Sequence, residues 1–281
     1  MLDKGKIAIT GAGQGLGLAV AVEFLKRGYP VQALILLENQ RQALLDASLG
    51  LPGELSCEVL DVTAPGSFEF SDDLLVLINN AGIRLKNLPV ESIGLEEWRR
   101  YMEVNFFGAV ELCRRAIPVL RARGQGVICN INSGSSAMPF PFLGPYRASK
   151  GAMGQFSETL RAELYPFGIR VMEILPGGVD TGLTATSMGA NKTAAAELPD
   201  YAPMAEGLLK SFAERGMQYI SAQEAAVRIA DAILDGSERM RYGTDEYSTR
   251  SIERWRSHEH DQAMLGWIKS ISPVRGTHEQ N

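Results

Sequence analysis

Tyr146 and Lys150 are the residues of this sequence whose types and spacing could carry proton chemistry. The stretch GPYRASKGA around them has a helical pattern, and residues four apart on a helix lie on the same face. A phenol loses its proton only well above neutral pH, but a neighbouring ammonium favours the phenolate. The pair could therefore act as a general acid and base. Taken alone, the same spacing is more typical of an ordinary amphipathic pair on a helix surface.

Histidine, the usual side chain for proton transfer at neutral pH, is absent from the first 257 residues. His258, His260 and His278 all lie in the tail. Proton transfer elsewhere in the chain must therefore use a group whose pKa the fold has moved. His258 and His260 stand two apart and could bind a metal, but a solvated tail explains them better. We predict no metal site.

Glycines cluster in the stretch TGAGQGLG, directly after the apolar run Lys6–Thr10 and before a helical pattern. Glycines allow a sharp turn and a close approach of the backbone to a pyrophosphate, and a helix N-terminus adds amide donors and a partial positive charge. This strand–turn–helix context favours a dinucleotide site over a purely structural turn. The residues expected to contact the dinucleotide are Gly11, Gln14, Gly15, Leu16 and Gly17.

Strands and helices alternate along most of the chain. Apolar runs without polar alternation are typical of parallel strands buried on both faces, and repeated strand–helix units imply right-handed crossovers. The sequence therefore predicts an α/β fold with a Rossmann-like, doubly wound parallel sheet in three layers, formed by a single domain over residues 1–240. Residues 241–281 are predicted to form a polar C-terminal extension. The predicted strands are Lys6–Thr10, Val31–Leu37, Ser56–Leu60, Leu74–Asn79, Val127–Ile131 and Ile169–Leu175, and the predicted helices are Leu16–Arg27, Gln42–Ala47, Leu95–Arg123, Tyr146–Tyr165 and Ser221–Leu234.

Several ordered motifs make the sequence resemble the short-chain dehydrogenase/reductase family in its single-domain branch. The glycine turn has the spacing T-G-x-x-x-G-x-G, the fourth strand is followed by Asn79–Gly82, and Tyr146 and Lys150 form a Y-x-x-x-K motif. The resemblance covers residues 5–235, which is nearly the whole chain. The segment between the third and fourth strands is shorter than usual in the family, with room for at most one helical turn.

The same resemblance extends to single residues. Asn105 in VNFFG matches the helix asparagine of the family, and Pro176 begins a P-G-x-x-x-T turn that ends at Thr181. Ser133 stands thirteen residues before Tyr146, as the serine of the family does. This spacing favours Ser133 over two serines that follow it closely.

The resemblance implies four catalytic residues. Tyr146 would be the general acid in ketone reduction and the general base in alcohol oxidation. Lys150 would also hydrogen-bond the ribose of the nicotinamide. Ser133 would hold the substrate oxygen, and Asn105 would anchor a water relay that carries protons to solvent.

A nicotinamide cofactor, NAD with NADP possible, is implied as well. The Asn79–Gly82 stretch could be only a turn, but its place at the carboxyl edge of the sheet favours a role beside the adenosine. Asp61 matches an adenine contact of the family, although it could instead cap a helix. Besides the glycine turn, the implied cofactor-binding residues are Asp61, Val62, Asn80, Ala81, Gly82, Tyr146, Lys150, Pro176, Gly177, Val179 and Thr181.

The choice between NAD and NADP depends on the residues after the second strand. An acid about 20 residues past the glycines would bind the ribose 2′-OH and favour NAD. Glu38 stands 21 residues past Gly17, but the family usually places this acid at the positions of Ile35 or Leu36. Arg41 could instead meet a 2′-phosphate. We expect NAD, with Glu38 as a cofactor contact.

Residues 182–220, between the sixth strand and the next clear helix, are predicted to form a substrate lid. Their apolar residues predict a medium or bulky apolar substrate, aromatic or steroid-like, although about half of such residues would serve core packing instead. Pro139–Phe142 could form the opposite wall of the pocket. The apolar lid residues are Leu183, Met188, Leu198, Tyr201, Met204, Leu208, Leu209, Phe212 and Met217.

Composition and charge exclude several kinds of partner. The net charge of −5 argues against nucleic acid, and no run of eighteen apolar residues predicts a membrane span. Three scattered cysteines suit a reducing compartment, so we expect a cytoplasmic protein with inert thiols. Small residues over 148–154 suggest close packing against another helix, and the resemblance implies that this helix belongs to a partner subunit, hence a homodimer or homotetramer.

Two other functions stay open at this point. One is a protein that binds NAD(P) as a sensor or interaction module and has lost catalysis. The complete set of catalytic residues argues against this function. The other is a sugar-nucleotide epimerase or dehydratase, for which 281 residues leave little room.

Overall fold

A parallel sheet forms the centre of the fold. The computed structural model describes residues 5–137, 140–181, 194–214 and 219–255, together with residues 262 and 266. The strands are β1 (Lys6–Thr10), β2 (Val31–Ile35), β3 (Leu55–Val59), β4 (Leu74–Asn79), β5 (Gly126–Ile131), β6 (Ile169–Leu175), β7 (Val179–Asp180), β8 (Ile220–Ser221) and β9 (Arg241–Gly243). Within the described ranges, seven strands pair in parallel in the order β3-β2-β1-β4-β5-β6-β9. A separate short parallel pair joins β7 to β8.

Helices cover both faces of this sheet. They are α1 (Gly15–Lys26), α2 (Arg41–Ser48), α3 (Leu95–Met102), α4 (Gly108–Arg123), α5 (Gly144–Leu164), α6 (Ala202–Glu214), α7 (Ala222–Leu234) and α8 (Glu246–Trp255). One apolar layer includes Phe24 of α1 and Ile229 of α7, and the other includes Leu112 of α4 and Leu160 of α5. The predicted three-layer α/β fold is thus confirmed. Among the helices described, none combines the length and apolar character needed to cross a bilayer.

The predicted strands are all present, and their ends differ from the prediction by two residues or fewer. The predicted helix Leu95–Arg123 is instead three pieces, because a π-helix over Glu103–Phe107 separates α3 from α4. π-helical turns are rare and often lie at functional sites. This one carries Asn105. Between β3 and β4 the chain forms turns without a helix, in agreement with its shortness.

The predicted boundary at residue 240 does not hold for the sheet, because Arg241–Gly243 form its seventh strand beside β6. Arg241 is only 1% exposed. Its Nε donates to Glu173 at 3.0 Å, and its Nη2 pairs with Glu158 of α5. The strand was missed because a buried arginine with charged partners looks the same in a sequence as a solvated one. The part of the predicted extension beyond Trp255 lies outside the described residues, apart from residues 262 and 266.

We expect Arg241→Met to lower the free energy of unfolding by about 3 kcal/mol, because it leaves the Glu173 carboxylate buried without its cation. Urea unfolding followed by circular dichroism would measure this loss. Adding Glu173→Met should recover a large part of it. Arg250→Met, which removes an exposed ion pair with Glu246, should change the stability by less than about 0.5 kcal/mol. Equal effects of the Arg241 and Arg250 variants would contradict the structural importance of the buried pair.

Candidate active site

The glycine-rich turn joins β1 to α1 with a backbone that requires glycine. Gly11 and Gly15 have φ angles of +64° and +54°, in the left-handed region. A side chain on Gly17 would place its Cβ 2.2 Å from the carbonyl oxygen of Gly11. Gln14 is extended and its side chain caps no amide of the helix, so the first-turn amides of α1, from Gly15 and Leu16 onward, stay available to an anion. This turn is compatible with a pyrophosphate group.

A clamp between β1 and β4 brings a second predicted turn beside the first. The Thr10 hydroxyl accepts the amides of Asn80 and Ala81 at 2.9 and 2.8 Å. The side chain of Asn80 donates to the Thr10 carbonyl at 2.8 Å. The predicted cofactor residues Asn80 and Ala81 therefore lie next to the glycine turn, and Thr10, which the motif reading treated only as a strand end, holds them there.

Asn105 fixes the chain that follows this turn. It is 1% exposed, and its Oδ1 accepts the amide of Ile83 at 2.7 Å. Its Nδ2 donates to the Ile83 carbonyl at 3.0 Å and to the Ser149 hydroxyl at 3.1 Å. A Cβ on Gly82 would come within 3.2 Å of Asn105 Oδ1 and 3.8 Å of Lys150 Nζ. The predicted residues Gly82, Asn105 and Lys150 are thus close together.

Lys150 lies on α5, one turn beyond Tyr146, as the spacing predicts. It is 5% exposed, and its ammonium donates to the Ile131 carbonyl at 2.7 Å. Burial lowers the pKa of Lys150 to about 8, while the negative charge of Glu173 opposes this shift. The ammonium has three N–H groups, and the described part of the chain uses one of them. Two donors are left for a ligand.

Tyr146 is buried against aromatic and cationic groups. Lys150 Nζ lies 6.0 Å from the centre of its ring, and the Tyr101 ring packs edge-on at 6.4 Å. The Arg84 guanidinium carbon lies 5.7 Å from the same centre. Arg84 is a neighbour of the predicted general acid that the motifs did not indicate, because it belongs to no motif.

Ser133 follows β5 and directly precedes a short 3₁₀ helix, Gly134–Ala137. Its hydroxyl shares a hydrogen bond with the Ser135 hydroxyl at 2.8 Å and accepts the Ser135 amide at 3.1 Å. The Ser136 hydroxyl instead donates to Asn132 at 2.9 Å. Ser133 and Ser135 are both half-buried. The assignment of the substrate serine to Ser133 stays a prediction.

The P-G-x-x-x-T turn closes the other side of the glycine turn. Pro176 accepts the Gly134 amide at 2.7 Å, and the Gly177 amide donates to Asp245 at 3.1 Å. A Cβ on Gly15 would come within 3.5 Å of Thr181. Val179, between them, is buried in β7. Asp245 was assigned to the C-terminal extension, so its contact with this turn was missed.

The remaining cofactor predictions lie at the ends of β2 and β3. Asp61 accepts the amide and hydroxyl of Thr63 at 2.9 and 2.7 Å, so it caps a turn and not a helix. Val62 is buried against Gly108. Glu38 has a 68% exposed side chain and forms two hydrogen bonds with Arg41, at 2.5 and 2.9 Å, which lower the pKa of its carboxyl. Glu38 and Arg41 thus form an exposed ion pair just beyond the end of β2.

A buried polar network beneath the site was also missed. Glu173 of β6 accepts from Asn132 at 2.7 Å, and Asn132 precedes Ser133. Burial raises the pKa of Glu173, and the positive charge of Arg241 opposes that rise. The network thus connects the serine turn and the environment of Lys150 to β9. A carboxylate in the middle of an apolar strand was a signal for it.

Neither a candidate metal cluster nor a reactive thiol is found among the residues of this site that the structure describes. Across the described ranges, no three His, Cys, Asp or Glu side chains cluster as a metal site would require. Burial raises the pKa of both Cys113 and Cys129 to about 12, so neither thiol is reactive near neutral pH. The three histidines lie outside the described residues.

The fold and the site together define a dinucleotide-binding α/β protein with a Tyr–Lys pair at the carboxyl edge of its sheet. Comparison with known proteins agrees. The sequence model of the family described as short chain dehydrogenase matches residues 6–192. The chain belongs to the short-chain dehydrogenase/reductase family, whose members are nicotinamide-dependent oxidoreductases.

Three relatives illustrate the range of similarity. Estradiol 17-beta-dehydrogenase 2 of Rattus norvegicus is 28% identical over 81% of this chain and 60% of its own length. The NADPH-dependent 1-acyldihydroxyacetone phosphate reductase of Schizosaccharomyces pombe is 34% identical over 67% of this chain and 64% of its own length. The chain thus spans less than two thirds of both. A crystal structure of a short-chain dehydrogenase from Streptomyces avermitilis superposes with a TM-score of 0.71 and 25% identity, covering 96% of each chain.

We expect Lys150→Met to stabilise the protein more at pH 7 than at pH 10. Below pH 8 the folded chain must bury a charged lysine, which lowers the free energy of unfolding of the wild type. This cost falls as the pH rises from the folded pKa of about 8 toward the ordinary pKa of 10.5, and it disappears above 10.5, because the lysine is then neutral in both the folded and the unfolded chain. The difference in free energy of unfolding between variant and wild type should therefore fall by about 2–3 kcal/mol over this range. Urea unfolding without added nucleotide at each pH would measure it.

The matched control is Lys26→Met, which alters an exposed lysine of α1. Its difference from the wild type should be the same at both pH values. A constant difference for the Lys150 variant as well would contradict the burial of a charged ammonium.

Proposed function

We propose that the protein interconverts a secondary alcohol and a ketone, with the nicotinamide ring of its cofactor accepting or donating the hydride. The observation that carries this proposal is the buried Lys150 ammonium, one helical turn from Tyr146, with two N–H donors left for a ligand. Side chains in place of the glycines would crowd the glycine turn. Its bare backbone is compatible with the cofactor pyrophosphate. Lys150 would hold the ribose hydroxyls with its remaining donors.

Each polar residue would have a separate task. Tyr146 gives a proton to the carbonyl oxygen in reduction and takes it back in oxidation. Ser133 donates a hydrogen bond to the same substrate oxygen after releasing Ser135. Both N–H groups of the Asn105 side chain are already bonded, so a water relay would start from its backbone, in the π-helix, or from the free lone pair of Oδ1.

We further propose that NAD is the preferred cofactor. The Glu38 carboxylate could accept the ribose 2′-OH, and its negative charge would repel a 2′-phosphate. Arg41 already donates to both Glu38 oxygens and to the Cys57 carbonyl, so little of its guanidinium is left for a phosphate. NADP remains the alternative, which the name of the yeast relative favours.

The substrate would be apolar for most of its length. Phe142, of the predicted pocket wall, packs edge-on against Tyr201 at 6.1 Å and joins a small apolar cluster with Ala195 and Ala205 of the predicted lid. The wall and the described part of the lid are thus in contact. Leu183, Met188, Met217 and Pro139 lie outside the described residues. An apolar substrate is consistent with the rat relative, whose name gives a steroid.

A homo-oligomer would form through the outer face of α5. Ala148 and Gly151 are exposed there, and a Cβ on Gly151 would meet no atom within 4 Å. Phe106 packs edge-on against Phe156 of this helix, and Phe107, whose ring is tilted against Phe106, is 49% exposed. The size of the oligomer and the cytoplasmic location stay predictions.

Tyr146→Phe tests the mechanism. Removing the hydroxyl takes away the general acid and base, so kcat on a panel of aryl and alicyclic secondary alcohols and ketones should fall by about 10²–10⁴-fold. Binding of NADH, followed by its fluorescence, should change by less than about twofold. Tyr29→Phe, in the opposite apolar layer, is the control for loss of a tyrosine hydroxyl. Near-normal turnover by the Tyr146 variant would refute the mechanism.

Glu38→Gln tests the cofactor preference. Without the carboxylate charge, NADPH should bind more tightly and NADH more weakly, so the ratio of their dissociation constants should shift toward NADPH by about threefold to tenfold. Fluorescence titration with each nucleotide measures the ratio. Asp46→Asn, which removes another exposed carboxylate nearby on α2, should leave it unchanged. Tighter binding of NADPH than NADH by the wild type would favour the Arg41 alternative.

A further inference from the structure

Arg84 lies in the loop between β4 and α3, held between two anchored residues. The amide and carbonyl of Ile83 are both bonded to the side chain of Asn105, at 2.7 and 3.0 Å. Leu85 donates its amide to the Tyr101 hydroxyl at 2.5 Å. The backbone on both sides of Arg84 is therefore fixed by contacts with the π-helix and α3.

The guanidinium of Arg84 has no acceptor within the described ranges. Its Nε is buried without a hydrogen bond, and no ion pair joins it to an acid there. Arg123 also has a buried Nε without an acceptor and Arg161 a buried Nη1, but each donates from another nitrogen to a backbone carbonyl. Glu97 acts electrostatically on the same tyrosine, Tyr101, as Arg84 does, yet the two form no ion pair.

The guanidinium lies over the Tyr146 ring, but a partly buried cation without a counter-anion costs free energy unless a ligand supplies that anion. The guanidinium carbon lies 5.7 Å from the Tyr146 ring, beside the group that would handle the reacting oxygen. A guanidinium offers five N–H donors in a planar fork that matches the oxygens of a carboxylate or phosphate. A neutral substrate without a suitable oxygen would leave the buried Nε without an acceptor.

We propose that the substrate carries an oxyanion, a carboxylate or a phosphate, near its reacting carbon, and that Arg84 binds this group. The inference rests on the proposed function and narrows it: the molecule would combine an apolar body with one anionic group a few bonds from the hydroxyl or ketone. Arg84 is then the residue that selects such a molecule over a neutral alcohol of the same shape.

Kinetics with matched substrates would test the selection. 3-Hydroxy-3-phenylpropanoate and its methyl ester differ in charge at one group. For the wild type, kcat/KM should be higher on the acid, and Arg84→Gln should lower the acid-to-ester ratio by about 10- to 100-fold, mainly through KM for the acid. Arg84→Lys should restore part of the ratio. Lys86→Gln, an exposed cation of the same loop, should leave it within about twofold.

Equilibrium binding keeps the test independent of turnover. Calorimetry on the protein with NADH would compare 3-phenylpropanoate and 2-phenylethyl phosphate, which are anions, with neutral 3-phenylpropanamide. We expect the anions to bind more tightly, by a margin that Arg84→Gln removes. The anion that binds more tightly shows whether the group bound by Arg84 is a carboxylate or a phosphate. Turnover of neutral alcohols without any preference for anions, in either assay, would overturn the role of Arg84 and leave the proposed function standing.

Two further results are decisive. An Arg84→Gln variant that lowers turnover of acid and ester equally, or that weakens NADH binding with the acid-to-ester ratio intact, would overturn the proposal, since Arg84 would then serve Tyr146 or the cofactor. Absence of turnover on every alcohol and ketone, combined with Arg84-dependent binding of the anions, would refute the proposed function and support the anion site. Circular dichroism would verify that each variant is folded.

Discussion

The burial of one ammonium group, that of Lys150, is the constraint on which the rest of the structure depends. An almost fully buried lysine with one carbonyl partner tends to lose its proton, and the negative charge of Glu173 opposes that loss. Glu173 is itself buried and requires Arg241, and Arg241 in turn reaches Glu158. Each buried charge thus needs the next one. These compensations connect the candidate active site to the last strand of the sheet and to the helix that bears the tyrosine.

Short polar side chains hold the backbone turns around this lysine. Thr10 binds the turn after β4, Asn105 binds the loop that follows it, and Asp245 binds the turn after β6. In each case a side chain from a distant part of the chain satisfies main-chain donors at the carboxyl edge of the sheet. Because these hydrogen bonds already hold the turns without a ligand, less reorganisation is needed for binding and for charge stabilisation.

Much of this fold could be predicted from the sequence, because strands buried on both faces leave continuous apolar runs. Arg241 and its strand could not be predicted, because the sequence does not distinguish a buried arginine paired with carboxylates from a solvated arginine. The π-helix at Asn105 was missed because one extra residue in a turn barely changes a helical pattern. In the site, motif spacing indicated Tyr146 and Lys150, but the surroundings of Arg84 depend on loops that meet only in three dimensions. The catalytic and cofactor roles of the motif residues stay predictions.

The pairing of Arg241 with Glu173 also orders the events of biosynthesis. Glu173 leaves the ribosome sixty-eight residues before its partner, an interval of about 3–14 s at ordinary elongation rates. During this time β1 to β6 can associate, but a carboxylate in their midst lacks its cation and must stay protonated or hydrated. The nascent sheet therefore stays incompletely packed until β9 has been made. A chain stalled before Arg241 would present this open edge of β6 to chaperones and proteases for as long as β9 was missing.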